Sequence, residues 1–276
     1  MIRADVHNHT VASHGLATVE AMVEAASAFS LDWYGLSEHS PLPPGYSCPL
    51  YTGDLATAFP DYAARVLALR ERRARASRVP RLLLGMELDW LPANMPWMRG
   101  LVARYPFDYV IGGLHFVNDM PVGSPRIWGP EVEREARFAR FAAYYEAMTA
   151  LASSGLVDVV AHPDFVKVCC YEDFQAWLRL PGSLDCAAAA LEAMRAADVA
   201  MEVSSAGLRK PFAEPYPGPA LMRLAADLGL VVSFGSDAHS TSDTVSRFDE
   251  LAAYAASFGC VRYRVYVDRK PVELTL

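Results

Sequence analysis

No run in this chain approaches the roughly twenty consecutive apolar residues that a membrane-spanning helix needs. The amino terminus also lacks the succession of charged segment, apolar segment and small-residue cleavage site that marks a secretory leader, so the expected location is cytoplasmic. Excess positive charge is missing too. The formal net charge of −7 speaks against a general surface for nucleic acid or anionic membrane, since both need a basic face. Cys48, Cys169, Cys170, Cys186 and Cys260 show no Cys-x-x-Cys spacing, and adjacent cysteines such as Cys169-Cys170 rarely serve one tetrahedral ion. Reduced, structural thiols are expected. No glycine-rich phosphate loop is present, and the sequence assigns no oligomeric state.

What is present fits one folded domain over residues 1–276. The apolar share of 53% and charged share of 21% are those of a folded soluble protein, and 276 residues suffice for one α/β barrel. Histidine is scarce, and its placement is the informative feature. In Asp5-Val6-His7-Asn8-His9, alternation along a strand puts both imidazoles on one face, where they can grip one ion together. His14 follows in the next loop. The other four come after short apolar runs that read as buried strands: 32–36 before His39, 109–114 before His115, 157–160 before His162, and 231–234 before His239. Imidazole is the commonest metal ligand, and strand carboxyl ends are where α/β barrels build their sites.

Apolar residues at helical spacing predict a helix over 17–29, and another over 55–76 that ends in Arg65, Arg70, Arg72, Arg73 and Arg75, a solvated cationic face. Residues 41–51 are rich in Pro, Gly and aromatics and read as a loop over the strand ends. Strand 81–87 ends in Glu87 and strand 109–115 in His115. A helix over 131–153 leads to the 157–160 strand, and helix 184–196 to strand 199–203. A loop opened by Leu208-Arg209-Lys210-Pro211 precedes helix 219–228, and strand 230–234 runs into Gly235-Ser236-Asp237-Ala238-His239. The expected ending is a helix over 242–258 and terminal strands at 262–267 and 273–276. Strands alternating with helices across short loops mean parallel pairing. Seven such units predict a distorted (β/α)7 barrel with a multinuclear metal site at its carboxyl-terminal mouth.

With Glu87 and Asp237, the histidines make nine candidate ligands: His7, His9, His14, His39, Glu87, His115, His162, Asp237 and His239. One tetrahedral zinc uses three or four, so nine suffice for two or three ions if a carboxylate bridges. Clustered divalent ions bind oxyanions, activate water near neutral pH and stabilise charge on an in-line displacement. That chemistry points to hydrolysis of a phosphate ester.

The motifs His7-Asn8-His9, Ser37-Glu38-His39, Gly85-Met86-Glu87, Gly113-Leu114-His115-Phe116, His162-Pro163-Asp164 and Ser236-Asp237-Ala238-His239, with His14, resemble those of the polymerase and histidinol phosphatase (PHP) family. Ser40-Pro41, His115-Phe116, the 205–211 run and Tyr216-Pro217 resemble its histidinol-phosphatase branch. The resemblance implies three metal ions. His7, His9, Glu87 and Asp237 would hold the first; bridging Glu87 with His115 and His162 the second; His14, His39 and His239 the third. It also implies hydrolysis of L-histidinol phosphate, a small-molecule substrate, in histidine biosynthesis. Zinc, iron and manganese all suit the donor set. Two positions depart from the family pattern, Glu38 where relatives often carry Asp and Ser204 where they often carry Asn; neither is an expected ligand.

Arg209, Asp237 and His239 are the expected catalytic residues, Arg209 because a guanidinium reads phosphate bidentately and its loop follows the sixth strand. Lys167 is a second candidate for the phosphate. Phe116, Glu214 and Tyr216 are candidates to surround the imidazole and amine of the substrate. Three rival readings stay open: a phosphodiesterase or other phosphoesterase of the same family, a non-catalytic metal-binding module, and a mononuclear amidohydrolase, which also places His-x-His on its first strand.

Overall fold

The computed structural model describes residues 1–48, 51, 53–75 and 80–276. Seven parallel strands form one sheet in chain order: β1 (Ala4–Asp5), β2 (Trp33–His39), β3 (Arg81–Asp89), β4 (Tyr109–Gly113), β7 (Val159–Val160), β8 (Ala200–Ser204) and β9 (Val232–Gly235). The intervening β5 (Phe116–Val117) and β6 (Met120–Pro121) pair with each other as a small antiparallel hairpin beyond β4. Val6 N–H donates to the Phe234 carbonyl and His9 N–H to that of Ala238, at 3.2 and 2.8 Å, so the last strand returns to the first. The sheet is thus a nearly closed barrel, as the alternation of strand and helix predicts.

The helices follow from pattern and capping. In α1 (Val19–Ala26), Val19, Met22, Val23 and Ala26 form the buried stripe, and the Thr18 side chain caps the first turn by accepting from Ala21 N–H. In α2 (Leu55–Arg73), Asp54 caps in the same way, and the buried face runs through Phe59, Tyr62, Ala63, Val66 and Leu69. The helix ends at Arg73 with Ala74 as its carboxyl cap, short of the expected residue 76, which lies outside the described residues. The other helices are α3 (Met95–Arg104), α4 (Arg134–Ala152), α5 (Tyr171–Trp177), α6 (Ser183–Ala196), α7 (Pro219–Asp227) and α8 (Phe248–Ser257). Helix α3 was not expected from the sequence: Pro96 in its first turn and Gly100 further on hide its helical signal.

Helix α8 starts six residues later than periodicity suggests. Ser240 and Asp243 form hydrogen-bonded turns, and Val245 N–H donates to buried Asp5 at 3.2 Å, so this stretch serves the barrel wall instead of a helix. At the opposite end, β10 (Arg262–Val267) and β11 (Lys270–Thr275) form an antiparallel hairpin, with β11 starting earlier than the expected residue 273. Tyr263 accepts from Arg3 N–H at 2.8 Å, and Arg269 N–H donates to Asp108 O at 2.8 Å. Both partners precede strand amino ends, so the hairpin closes the barrel floor. Inside, the Tyr109 ring occupies the space that side chains at Gly35 and Gly85 would fill, and its hydroxyl donates to Val6 O.

Candidate metal centre

Within the seven-stranded sheet, every strand carboxyl end except that of β8 leads to at least one imidazole or carboxylate at the mouth. Regular ladder pairing in β1 stops at Asp5, yet the Asn8–Ala238 bridge keeps the chain extended, and His7 and His9 do share a face, their Nε2 atoms 3.1 Å apart. Fully buried Glu87 is the hub. Its Oε2 lies 3.3 Å from His7 Nε2, 3.4 Å from His9 Nε2 and 3.1 Å from His39 Nδ1; its Oε1 lies 3.3 Å from His115 Nε2 and 3.1 Å from His162 Nε2. Asp237 Oδ1 lies 3.3 Å from His9 Nε2 and 3.5 Å from His239 Nδ1. The His14 ring stands edge-on to those of His39 and His239, with centroids 4.9 and 4.3 Å away.

Among the described residues, four overlapping groups bring ligand atoms within 4.8 Å of one another: His7, His9 and Asp237; His7, Glu87 and His162; His39, Glu87 and His115; and His9, His39 and His239. Buried polar atoms normally find hydrogen-bond partners. Here His14 Nδ1, His39 Nε2, Glu87 Oε2, His162 Nδ1 and His239 Nε2 are buried and make no hydrogen bond. Imidazole nitrogens and carboxylate oxygens left open around one bridging carboxylate fit bound transition-metal ions.

The electrostatics agree. Burial pushes the Glu87 carboxyl up, but His115, His7 and His39 outweigh it and hold it well below the usual carboxylate range. Asp237 is held down in the same way by His7, His9 and His239 against its burial. Burial also opposes charge on His9, yet Asp237, Glu38 and Glu87 raise it to about 9. His239, buried and facing His9, is pushed down to about 4.

Behind these candidate ligands stand carboxylates that sequence reading missed or left unassigned. Glu202 Oε1 meets His7 Nδ1 at 2.6 Å, Asp89 Oδ1 meets His115 Nδ1 at 2.8 Å, and Glu38 Oε1 faces His9 Nδ1 at 3.4 Å. Such partners orient imidazole ligands and fix which nitrogen carries the proton. Glu38 also accepts from Thr10 N–H and from the Thr10 and Ser13 hydroxyls, which anchors the loop carrying His14. Tyr51 links His39 Nδ1, at 3.1 Å, to Asp89. The available signal was a lone acid inside an apolar parallel strand, at Glu202, and Asp89 two residues past Glu87 on the same strand face.

A cavity of about 400 Å³ opens onto this centre. His14, His39, Glu87, His115, His162, Asp237 and His239 line its floor; Tyr51, Pro121, Ser124, Pro125, Phe165, Val168 and Lys210 line its walls. Arg209 donates from Nη2 to the carbonyls of Ser236 and Asp237, at 2.9 and 3.0 Å, while its buried Nη1 has no partner. Lys167 sits elsewhere. Its fully buried ammonium donates to Asp164 at 2.8 Å, Glu214 at 2.6 Å and Pro215 O at 2.9 Å, so all three of its donors are engaged, and so is Glu214. Tyr216 is buried behind Phe165, and Phe116 is buried in β5; neither these two nor Arg209 lines the cavity, whereas Lys210, unassigned by sequence reading, does.

The PHP domain family model matches residues 5–206. The chain belongs to the PHP family. Two relatives, each named "Probable histidinol-phosphatase", align along most of the chain. The one from Deinococcus radiodurans is 29% identical over 245 residues, covering 88% of this chain and 89% of its own. The one from Schizosaccharomyces pombe is 21% identical over 249 residues, covering 86% and 80%. A histidinol phosphate phosphatase from Lactococcus lactis, solved with zinc, L-histidinol and phosphate, superposes with a TM-score of 0.78 over 98% of both chains, at 16% identity. At that identity the likeness is one of fold.

Proposed function

We propose that this protein is a metal-dependent phosphoric monoester hydrolase that cleaves L-histidinol phosphate to L-histidinol and phosphate. The observation that carries the reading is the convergence of five imidazoles on the two oxygens of Glu87, with open ligand atoms around it. The names of its relatives point to the same substrate.

In this reading residues 1–276 act as one cytoplasmic domain, and no helix among the described residues is long and apolar enough to cross a membrane. His7, His9, Glu87 and Asp237 would hold one ion, Glu87 with His115 and His162 a second, and His14, His39 and His239 a third. Zinc, iron or manganese bound there would activate water near neutral pH and neutralise charge on the phosphoryl oxygens.

The chain's own residues do the rest. Glu202, Glu38 and Asp89 accept from the outer nitrogens of His7, His9 and His115, leaving the inner nitrogens free as donors of electron pairs. Arg209 binds the carbonyl of Asp237 and keeps Nη1 open for a phosphate oxygen. Phe165, Val168, Pro121 and Pro125 wall the cavity, shielding the organic half of the substrate from bulk water.

The direct test is phosphate release from L-histidinol phosphate by metal-replete protein, beside a His9→Ala variant and a phosphodiester control. Monoester turnover that disappears in the variant is the expected result. Cleavage of the diester with no release from histidinol phosphate would overturn the substrate, and silence on both would overturn the enzyme.

A further inference from the structure

We propose that Glu202 is a positioning residue that holds two ion subsites in register, one through the His7 ring and one through the backbone of His162. The inference rests on the metal-centred reading above and extends it to a residue outside the ligand set.

Glu202 is the lone acid of β8, 1% exposed, and its side chain points into the barrel beneath the mouth. Its two oxygens do different work. Oε1 lies 2.6 Å from His7 Nδ1, and Oε2 accepts the His162 N–H at 2.7 Å. A carboxylate only accepts, so a neutral His7 carries its proton on Nδ1 and presents the Nε2 lone pair toward His9, Glu87 and Asp237. His162 needs fixing for another reason. Its φ of 23° is in the left-handed region, strained for a side chain of this size, and such a conformation persists only where neighbours determine it. The Glu202 contact is one that does so. That conformation aims His162 Nε2 at Glu87 Oε1, 3.1 Å away.

The neighbourhood is built around this carboxylate. A Cβ at Gly235 would collide with Glu202 Oε1 and stand 2.5 Å from His7 Cβ, so glycine at that position is what admits the contact. Glu38 holds a different pair, the His9 ring at 3.4 Å and the His39 N–H at 3.2 Å.

Two variants distinguish this role from that of Glu38. Glu202→Gln keeps the shape but offers an acceptor on one side and a donor on the other, so it cannot accept from both His7 and His162. Metal content and chelator competition, measured on circular-dichroism-matched protein, should show affinity about 10- to 100-fold weaker at two subsites. Glu38→Gln should weaken the subsites that hold His9 and His39 and spare the one that holds His115 and His162. A second readout needs no variant: imidazole ¹⁵N NMR of the zinc-loaded wild-type chain, where the ring must be neutral to bind an ion, should find His7 protonated at Nδ1 and not at Nε2. Wild-type ion retention in Glu202→Gln, loss confined to one ion, or a His7 protonated at Nε2 would each overturn the proposal while leaving the phosphatase reading intact. A wild-type chain that binds no ions would overturn both.

Discussion

Two buried clusters of charge lie within a few residues of each other at the barrel mouth, and they are built on opposite principles. Around Lys167 all three ammonium donors are matched by Asp164, Glu214 and Pro215 O, Asp164 Oδ2 also accepts Gly218 N–H at 2.8 Å, and Asp164 Oδ1 alone of these carboxylate oxygens is left without a partner. Around Glu87 the side chains meet their neighbours at 3.1 to 3.4 Å and leave five buried nitrogens and oxygens without a hydrogen bond. A cluster whose cation is fully matched within the chain is a strut that ties the 164–167 segment to the 214–218 loop. An unsatisfied one is a site waiting on something from outside the chain. Both clusters are buried and both are charged; the difference lies in which partner atoms remain open.

The comparison breaks most sharply when each cluster loses its centre. His9→Ala should lower phosphatase turnover by roughly a hundred- to a thousand-fold, the scale of removing one preorganised electrostatic contact, with little change in fold. Matched circular dichroism spectra alongside the kinetics check both halves. Lys167→Met should do the reverse. Leaving Asp164 and Glu214 buried without their cation costs about 3–5 kcal/mol of stability, read by urea unfolding, while the ion content of the folded fraction stays at the wild-type level. A variant of Lys167 that kept its stability but lost phosphate affinity would move that residue from strut to substrate contact.

Arg209 stands between the two clusters in kind, since one of its nitrogens is committed to carbonyls and another is open. Arg209→Ala should reduce kcat/KM by about 10- to 100-fold, the worth of a charged hydrogen bond, and weaken inhibition by inorganic phosphate in parallel.

The sign of the pH dependence sharpens the contrast further. In the metal-free chain His9 titrates near 9, above the ordinary imidazole value of 6.5, so it is protonated at neutral pH. Its contribution to metal-free stability is therefore full below about 6.5 and is lost as pH rises toward 9. An ion needs the neutral ring, so uptake at about pH 7 should expel protons and apparent affinity should climb toward pH 9. Calorimetry in buffers of different ionisation enthalpy measures that release; its absence at neutral pH would contradict the expectation. The smallest effect belongs to the surface: Arg65→Ala, which removes an exposed pair with Asp61, should leave the melting temperature unchanged.

Much of this was legible because strand ends leave a local trace. An apolar run followed by His or Glu marks a buried strand and the candidate ligand it delivers, which is how His39, Glu87, His115 and His162 could be placed at the mouth from spacing alone. The barrel followed from the count of such runs. What spacing could not show was pairing across the barrel. Glu202 and Asp89 look like isolated acids until closure of the barrel brings β8 across from β1 and sets β3 beside β4. Lys167 and Glu214 are 47 residues apart, and only the fold reveals that they bind each other rather than a ligand. The start of α8 was hidden for the same reason, because the competing acceptor for Val245 N–H is Asp5, at the far end of the chain.

The most direct test of the central claim is an anomalous-diffraction crystal structure of the metal-replete protein. The predicted result is three ions clustered at the barrel mouth, with Glu87 bridging two of them and His14, His39 and His239 on the third. A single ion held by His7 and His9 alone, or anomalous density away from Glu87, would contradict it.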